Sequence, residues 1–339
     1  MLGRYIESRE RAFHRREDNR RSLPFDWGLE HVGLSATDRP MAALEAYSSQ
    51  AVADSERFYA CDPAPENETV LDGEILRFPS AATTPYPENN TVWGRLFEGK
   101  PELAVVVLPQ WNCPWDGQVG LCRALARFGI GALRLSLPYH HHRKPPEIDR
   151  AEYLVSPNIG RTLTANRQAV LDARRAAGWL LARGYRRVGI VGTSIGSCIA
   201  FLTFAHDERF SVGAFIHVSG YFADVVWSGL STQHVRHSFD GAIELDDLRR
   251  LWAPISPIPL IPRIRGDQRP MLMLAGRYDL TFPRRLTSNL MENIDQQGLS
   301  PEMVWLPCGH YTMGTFPFNA LAGYRIVQFL RRFRETGRM

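Results

Sequence analysis

The chain has 339 residues, 44% of them apolar, with a formal net charge of +4. That is enough apolar sequence for a substantial core in one large domain or two small ones, and no apolar run reaches the length that spans a bilayer. The charge is mild and spread along the chain. Lysine occurs only at Lys100 and Lys144, and no basic run is interleaved with aromatics, which excludes a recognisable nucleic-acid module.

The amino terminus is charged from Arg4 onward and has no apolar segment of the secretory type. Arg20-Arg21 is followed by no hydrophobic stretch, so the expected location is cytoplasmic. Five cysteines (Cys61, Cys113, Cys122, Cys198, Cys308) show no paired metal spacing and read as reduced thiols.

In chain order, residues 1–68 form a helical extension. Tyr5 to Arg20 reads as a highly charged helix and Arg39 to Tyr59 as a more apolar one. Asp62-Pro-Ala-Pro-Glu-Asn-Glu is a linker by composition. This arm is expected to pack on the core or on a partner subunit, which leaves a homo-oligomer through it open. Its acids are interspersed with its bases, against a polybasic membrane anchor.

From residue 69 to 339, strands alternate with helices. Expected strands are Leu71 to Phe78, Val92 to Phe97, Leu103 to Leu108, Ile130 to Leu135, Val188 to Val191, Val212 to Val218, Pro270 to Gly276 and Met303 to Leu306. Expected helices include Gln118 to Phe128, Pro157 to Arg183 and Ser197 to Ala205. The alternation predicts an α/β fold: a mostly parallel eight-stranded sheet, covered by helices on both faces, with an antiparallel first pair. About 221–268, between the sixth and seventh strands, is longer than a crossover needs. It holds Phe222, Trp227, Phe239 and Trp252, which either face an apolar substrate or only anchor the insertion.

Gly192-Thr-Ser-Ile-Gly196 follows the fifth strand and opens a helix. Glycines two residues to either side of Ser194 suit a strained turn that lifts the serine hydroxyl above the sheet edge. Asp279 stands just past the seventh strand and His310 just past the eighth. Taken alone, Asp279 reads better as a cap for a helix beginning near Pro283. Serine, acid and histidine in this order, each beyond a strand, resemble the α/β-hydrolase superfamily from about Leu71 to Phe333, in its esterase, lipase or dienelactone-hydrolase branches.

The resemblance implies Ser194 as nucleophile, His310 as base, Asp279 as its partner, and the 221–268 insertion as a cap. It implies oxyanion donors from the backbone of Ile195 and from Gln110 or Trp111, in a loop where many relatives carry His-Gly and this chain has Pro109-Gln110. It implies no metal or organic cofactor. The substrate would be a small-molecule carboxylic ester. The same residues also suit a thioesterase, lactonase, peptidase or acyltransferase, or a binding protein that kept the fold. Asp224, after the sixth strand, is the alternative acid. In Pro138-Tyr-His-His-His-Arg-Lys-Pro145, consecutive side chains point apart, so His140 to His142 read as a poor metal site, and one of them or Arg143 is a candidate substrate contact.

Overall fold

The computed structural model describes residues 1–17 and 19–337. Among these residues, nine strands form one sheet in the order β1-β2-β3-β5-β4-β6-β7-β8-β9. They are β1 (Val70–Asp72), β2 (Ile75–Pro79), β3 (Thr91–Phe97), β4 (Lys100–Leu108), β5 (Ile130–Leu135), β6 (Val188–Thr193), β7 (Phe210–Ile216), β8 (Met271–Gly276) and β9 (Glu302–Leu306). The first four neighbours in the sheet, β1, β2, β3 and β5, pair antiparallel, and every pair from β5 through β9 is parallel. Nine strands replace the expected eight because Leu71 to Phe78 is not one strand. It is a hairpin turned at Gly73, which has φ +58° and gives glycine its usual reason to be there.

β4 shows why the parallel strands read as continuous apolar runs. Ala104, Val106 and Leu108 face one core layer, while Leu103, Val105 and Val107 face the other. A period of two with both faces buried leaves no polar side to show. The first layer is covered by the helices Ile159–Ala182 and Ile195–His206, and the second by Val119–Arg127 and Phe318–Thr336. Every residue of Ile195–His206 is buried, as expected of a helix that is apolar all round. Among the described residues, no helix is long and apolar enough to cross a membrane.

The chain runs outward from β4 to β5, then returns past β4 to β6. That reversal opens a crevice beyond the carboxyl ends of β4 and β6, where open α/β sheets hold their ligands. The Gln110 loop leaves β4 at this place, and Ser194 leaves β6.

The arm packs on this body. Its helices are Leu2–His14, shorter than expected, and Pro40–Ala53 followed by a separate turn, Ser55–Phe58. Asp18, inside the expected first helix, lies outside the described residues. Leu44 and Tyr59 are fully buried. The Ser48 hydroxyl donates to Leu251 O at 2.6 Å, and the Tyr59 hydroxyl to Pro254 O at 2.8 Å. Burying each apolar side chain is worth about 1.5–3 kcal/mol, against about 1 kcal/mol net per hydrogen bond. Packing therefore dominates this attachment, and the hydrogen bonds set its register.

Candidate active site

At the end of β6 the backbone reverses at Ser194 with φ 58° and ψ −125°, then enters the Ile195–His206 helix. A positive φ in a residue with a Cβ stores about 1–3 kcal/mol of strain. The neighbours permit no relief. A Cβ on Gly192 would strike the backbone of Gly196 and Ser197, and one on Gly196 would strike the carbonyls of Leu108 and Pro109. The Ser194 N–H donates to Ile216 O at 2.8 Å, tying the turn to β7.

His310, after β9, lines the same cleft as Ser194, and Asp279, after β8, lies buried behind it. The two loops are laced by Arg277 N–H to Leu306 O and Tyr278 N–H to Cys308 O, both 2.9 Å. Asp279 is fully engaged. Its Oδ1 accepts the N–H groups of Thr281 and Phe282, each at 2.7 Å, and its Oδ2 lies 3.0 Å from His310 Nδ1. Oδ1 thus closes the turn 279–282, while the helix Arg284–Asp295 starts after Pro283 with no side-chain cap, so the expected helix-capping role of Asp279 is not found. Phe282 stacks on the His310 ring, centroids 5.3 Å apart and planes within 2°, which fixes the imidazole plane. With Nδ1 committed to Asp279, Nε2 is the nitrogen left to exchange a proton.

His217, which the sequence reading missed, is the third member of this cluster. It follows β7 with φ 58°, is 2% exposed, and places Nδ1 2.6 Å from Asp279 Oδ2. One carboxylate oxygen therefore meets two imidazoles. Burial opposes the Asp279 charge, yet His310 and His217 outweigh it and hold the carboxyl well below the usual carboxylate range. Burial pushes His217 down. Burial also works against His310, but the Asp279 charge and hydrogen bond prevail and raise it. The one signal for His217 was its position at the carboxyl end of a central parallel strand.

Among the described residues, the donors that converge tightly enough for an ion are these same three. Nitrogen and oxygen ligands at about 2.0–2.1 Å in a tetrahedron stand roughly 3.3 Å apart. The 2.6 and 3.0 Å separations here are those of direct contact.

The other candidates separate cleanly. Asp224 pairs with Arg249 at 2.7 Å rather than with His310. Arg143 is fully buried in an ion pair with Asp172 at 2.8 Å and donates to Asn89 O and Ser136 O, so it is a structural residue and not a substrate contact. The three consecutive histidines go to different partners. His140 donates from Nδ1 to Pro138 O and accepts the Asn112 N–H on Nε2, both at 2.9 Å, which suits a neutral ring pushed by burial down to about 3. His141 lies against Cys113 O and the Ser136 hydroxyl, and His142 packs on Trp93 with ring centroids 4.4 Å apart and planes tilted by 31°. Burial pushes the Cys308 thiol up to about 12, which removes it as a thiolate nucleophile.

In the Gln110 loop both side chains are occupied. Gln110 Oε1 accepts from Gln118 Nε2, and the Trp111 indole N–H donates to Ala151 O, each at 2.9 Å. Their backbone N–H groups make no hydrogen bond among the described residues. Of the insertion's aromatics, Phe222 lines the cleft, while Trp252 is fully buried and packs edge-on against Phe222 and Phe239. Trp227 lies under Arg236, 3.6 Å from its guanidinium.

The arm supplies the least expected contact. Glu10 is fully buried and accepts the backbone N–H of Tyr311 at 2.9 Å and of Thr312 at 2.8 Å, immediately after His310. It lies one helical turn from Ile6 on the buried stripe of its helix, and nothing but that spacing marked it. Glu10→Gln turns an amide NH2 toward one of those N–H groups. Losing a charge-assisted bond of about 1.5–3 kcal/mol from the histidine loop is expected to lower kcat/KM at least tenfold on an activated ester. An unchanged kcat/KM would show that the loop holds its position without Glu10.

No protein-family model matches the sequence, and neither does any curated protein sequence. Solved structures do match. The chain is similar to acetyl xylan esterase 1 from Thermoanaerobacterium sp. JW/SL YS485, with 15% identity, a TM-score of 0.56, and coverage of 84% of this chain and 93% of that one. An acetyl xylan esterase from Paenibacillus sp. R4 is similar at 15% identity and TM-score 0.56, over 87% and 95%. The acylaminoacyl peptidase of Pyrococcus horikoshii is similar at 11% identity and TM-score 0.57, over 79% of this chain and 48% of that one. At such identities the likeness speaks to the fold, which is the α/β-hydrolase fold.

Proposed function

We propose that this protein is a serine hydrolase that cleaves a carboxylic ester through an acyl-enzyme intermediate on Ser194. The observation that carries the reading is geometric. A serine held at a strained positive φ opens into the same cleft as an imidazole whose Nδ1 is held by a buried carboxylate. The two acetyl xylan esterases that share the fold are ester hydrolases by name, which supports an ester over other acyl compounds.

In this reading, His310 Nε2 takes the Ser194 proton as the hydroxyl oxygen bonds to the ester carbonyl carbon. Asp279 keeps the tautomer with the proton on Nδ1 and stabilises the imidazolium that forms. The backbone N–H of Ile195 and that of Gln110 or Trp111 receive the developing oxyanion. His310 then returns the proton to the leaving alkoxide, and water deprotonated by His310 releases the acid and frees Ser194. Residues 69–339 carry the chemistry, and 1–68 is an extension that supports it through Glu10.

A fluorophosphonate probe tests this directly. Expected is stoichiometric labelling that peptide mapping places on Ser194. Folded protein that stays unlabelled, or is labelled at another residue, overturns the assignment.

A further inference from the structure

We propose that the cleft includes a subsite for an extended, unbranched hydrocarbon chain attached to the ester. The subsite runs from Ser194 along the seam between the Val119–Arg127 helix and the Phe318–Thr336 helix. The inference rests on Ser194 being the nucleophile.

The cleft has a volume of about 1460 Å³, beyond the roughly 300–1,000 Å³ of ordinary small-molecule sites. It does not stop at the reacting groups. Past Met313 and Gly314 it continues between the two helices, walled by Leu121, Ala124, Ile326 and Val327. Three large apolar side chains along this stretch stand in water: Phe128 at 46%, Phe316 at 83% and Tyr324 at 57% exposed. Exposed apolar groups gathered along one groove mark a binding surface, and this groove starts at the candidate nucleophile. A Cβ on Gly323, which is part-buried and lines the seam, would meet nothing within 4 Å. At the far end the Arg331 guanidinium covers the Phe128 ring at 5.2 Å, where an apolar seam gives way to solvent.

The chemistry of the walls selects the occupant. Tyr324, Asn319, Gln328 and Arg331 put polar atoms along the seam, but the stretch walled by Leu121, Ala124, Ile326 and Val327 has no polar side chain, and polar groups of a sugar or peptide buried there without partners are penalised. A methylene chain needs only apolar contact, and each buried methylene is worth about a fourfold gain in binding. The nine-residue helix that forms one wall is about 13 Å long, room for a chain on the order of ten carbons.

The test compares wild type and Gly323→Leu on two ester series of two to twelve carbons, p-nitrophenyl acyl esters and alkyl acetates, below their critical micelle concentrations. Gly323 lies inside a helix without a positive φ, and leucine is a better helix former than glycine. Thermal melts check the fold. Expected for wild type is a ratio of ten-carbon to two-carbon kcat/KM of at least tenfold in one series, with that ratio falling at least tenfold in Gly323→Leu. The series that shows the rise tells whether the chain belongs to the acyl or the alcohol side. A flat wild-type profile in both series overturns the subsite, and so does a ratio that Gly323→Leu leaves unchanged. If the ratio is unchanged but light scattering shows an altered oligomeric mass, the seam is a self-association face and the proposal also falls. A folded wild type that hydrolyses no ester of either series overturns the nucleophile reading, and this inference with it.

Discussion

Ser194→Ala is expected to lower kcat on p-nitrophenyl acetate by about 10⁶-fold, the scale on which removing a triad serine acts elsewhere. The alanine keeps a Cβ at the same positive φ, so the turn stays under the same constraint from Gly192 and Gly196. The variant should therefore fold and melt like wild type. Steady-state turnover, corrected for spontaneous hydrolysis, is the measurement. A residual kcat within tenfold of wild type would mean that another group attacks the carbonyl, and the cleft would need a different nucleophile. Alanine is the better probe than glycine, which would relax the backbone and change the position of Ile195 as well.

Asp279→Asn is expected to lower kcat by about 10⁴-fold, as the equivalent change does in a serine protease triad. The amide cannot satisfy both sides of its site. Oδ1 now accepts two backbone N–H groups, and Oδ2 faces two imidazoles. Whichever way the asparagine turns, its NH2 meets a donor, and the easiest escape is for His310 to shift its proton to Nε2. That tautomer cannot act as base toward Ser194. Asp224→Asn loses only the ion pair to Arg249 and is expected to change kcat by less than threefold. If the two effects were reversed, Asp224 would be the acid. The pH profile gives a second readout. The base must be neutral, so wild-type kcat/KM falls as pH drops through the His310 pKa, which Asp279 raises. Removing that charge lowers the pKa, and the acid limb of the residual activity should move to lower pH.

Much of this architecture was legible in the sequence for a local reason. Val188 to Val191 is apolar and β-branched, Gly192 and Gly196 bracket Ser194, and an apolar stretch follows. Strand, turn and helix are each decided by neighbours within a few residues. The hairpin at Gly73 was lost because a three-residue strand carries too little periodicity to separate from the next. The tail of the first helix was overextended because charged residues continue past His14, where the helix ends.

Residues whose role depends on distant partners could not be read this way. Asp224 and Asp279 both follow strands, and only the fold shows one meeting Arg249 and the other two histidines. Arg143 lay in a loop expected to border the pocket, yet it is held away by Asp172 from the Ile159–Ala182 helix. Glu10 looked like one more charge on an exposed helix until the arm was placed against the His310 loop.

By itself, then, the sequence determined the parallel strands of the sheet, the strained serine turn and the order of serine, acid and histidine, because backbone preference and burial period are written in adjacent residues. The tertiary structure alone decided that β4 lies between β5 and β6. It also decided that His217 shares the Asp279 oxygen, that Glu10 braces the histidine loop, and that the cleft opens along an apolar seam. Those facts are contacts across tens to hundreds of residues. They exist only once the buried faces of the strands and helices have chosen their neighbours.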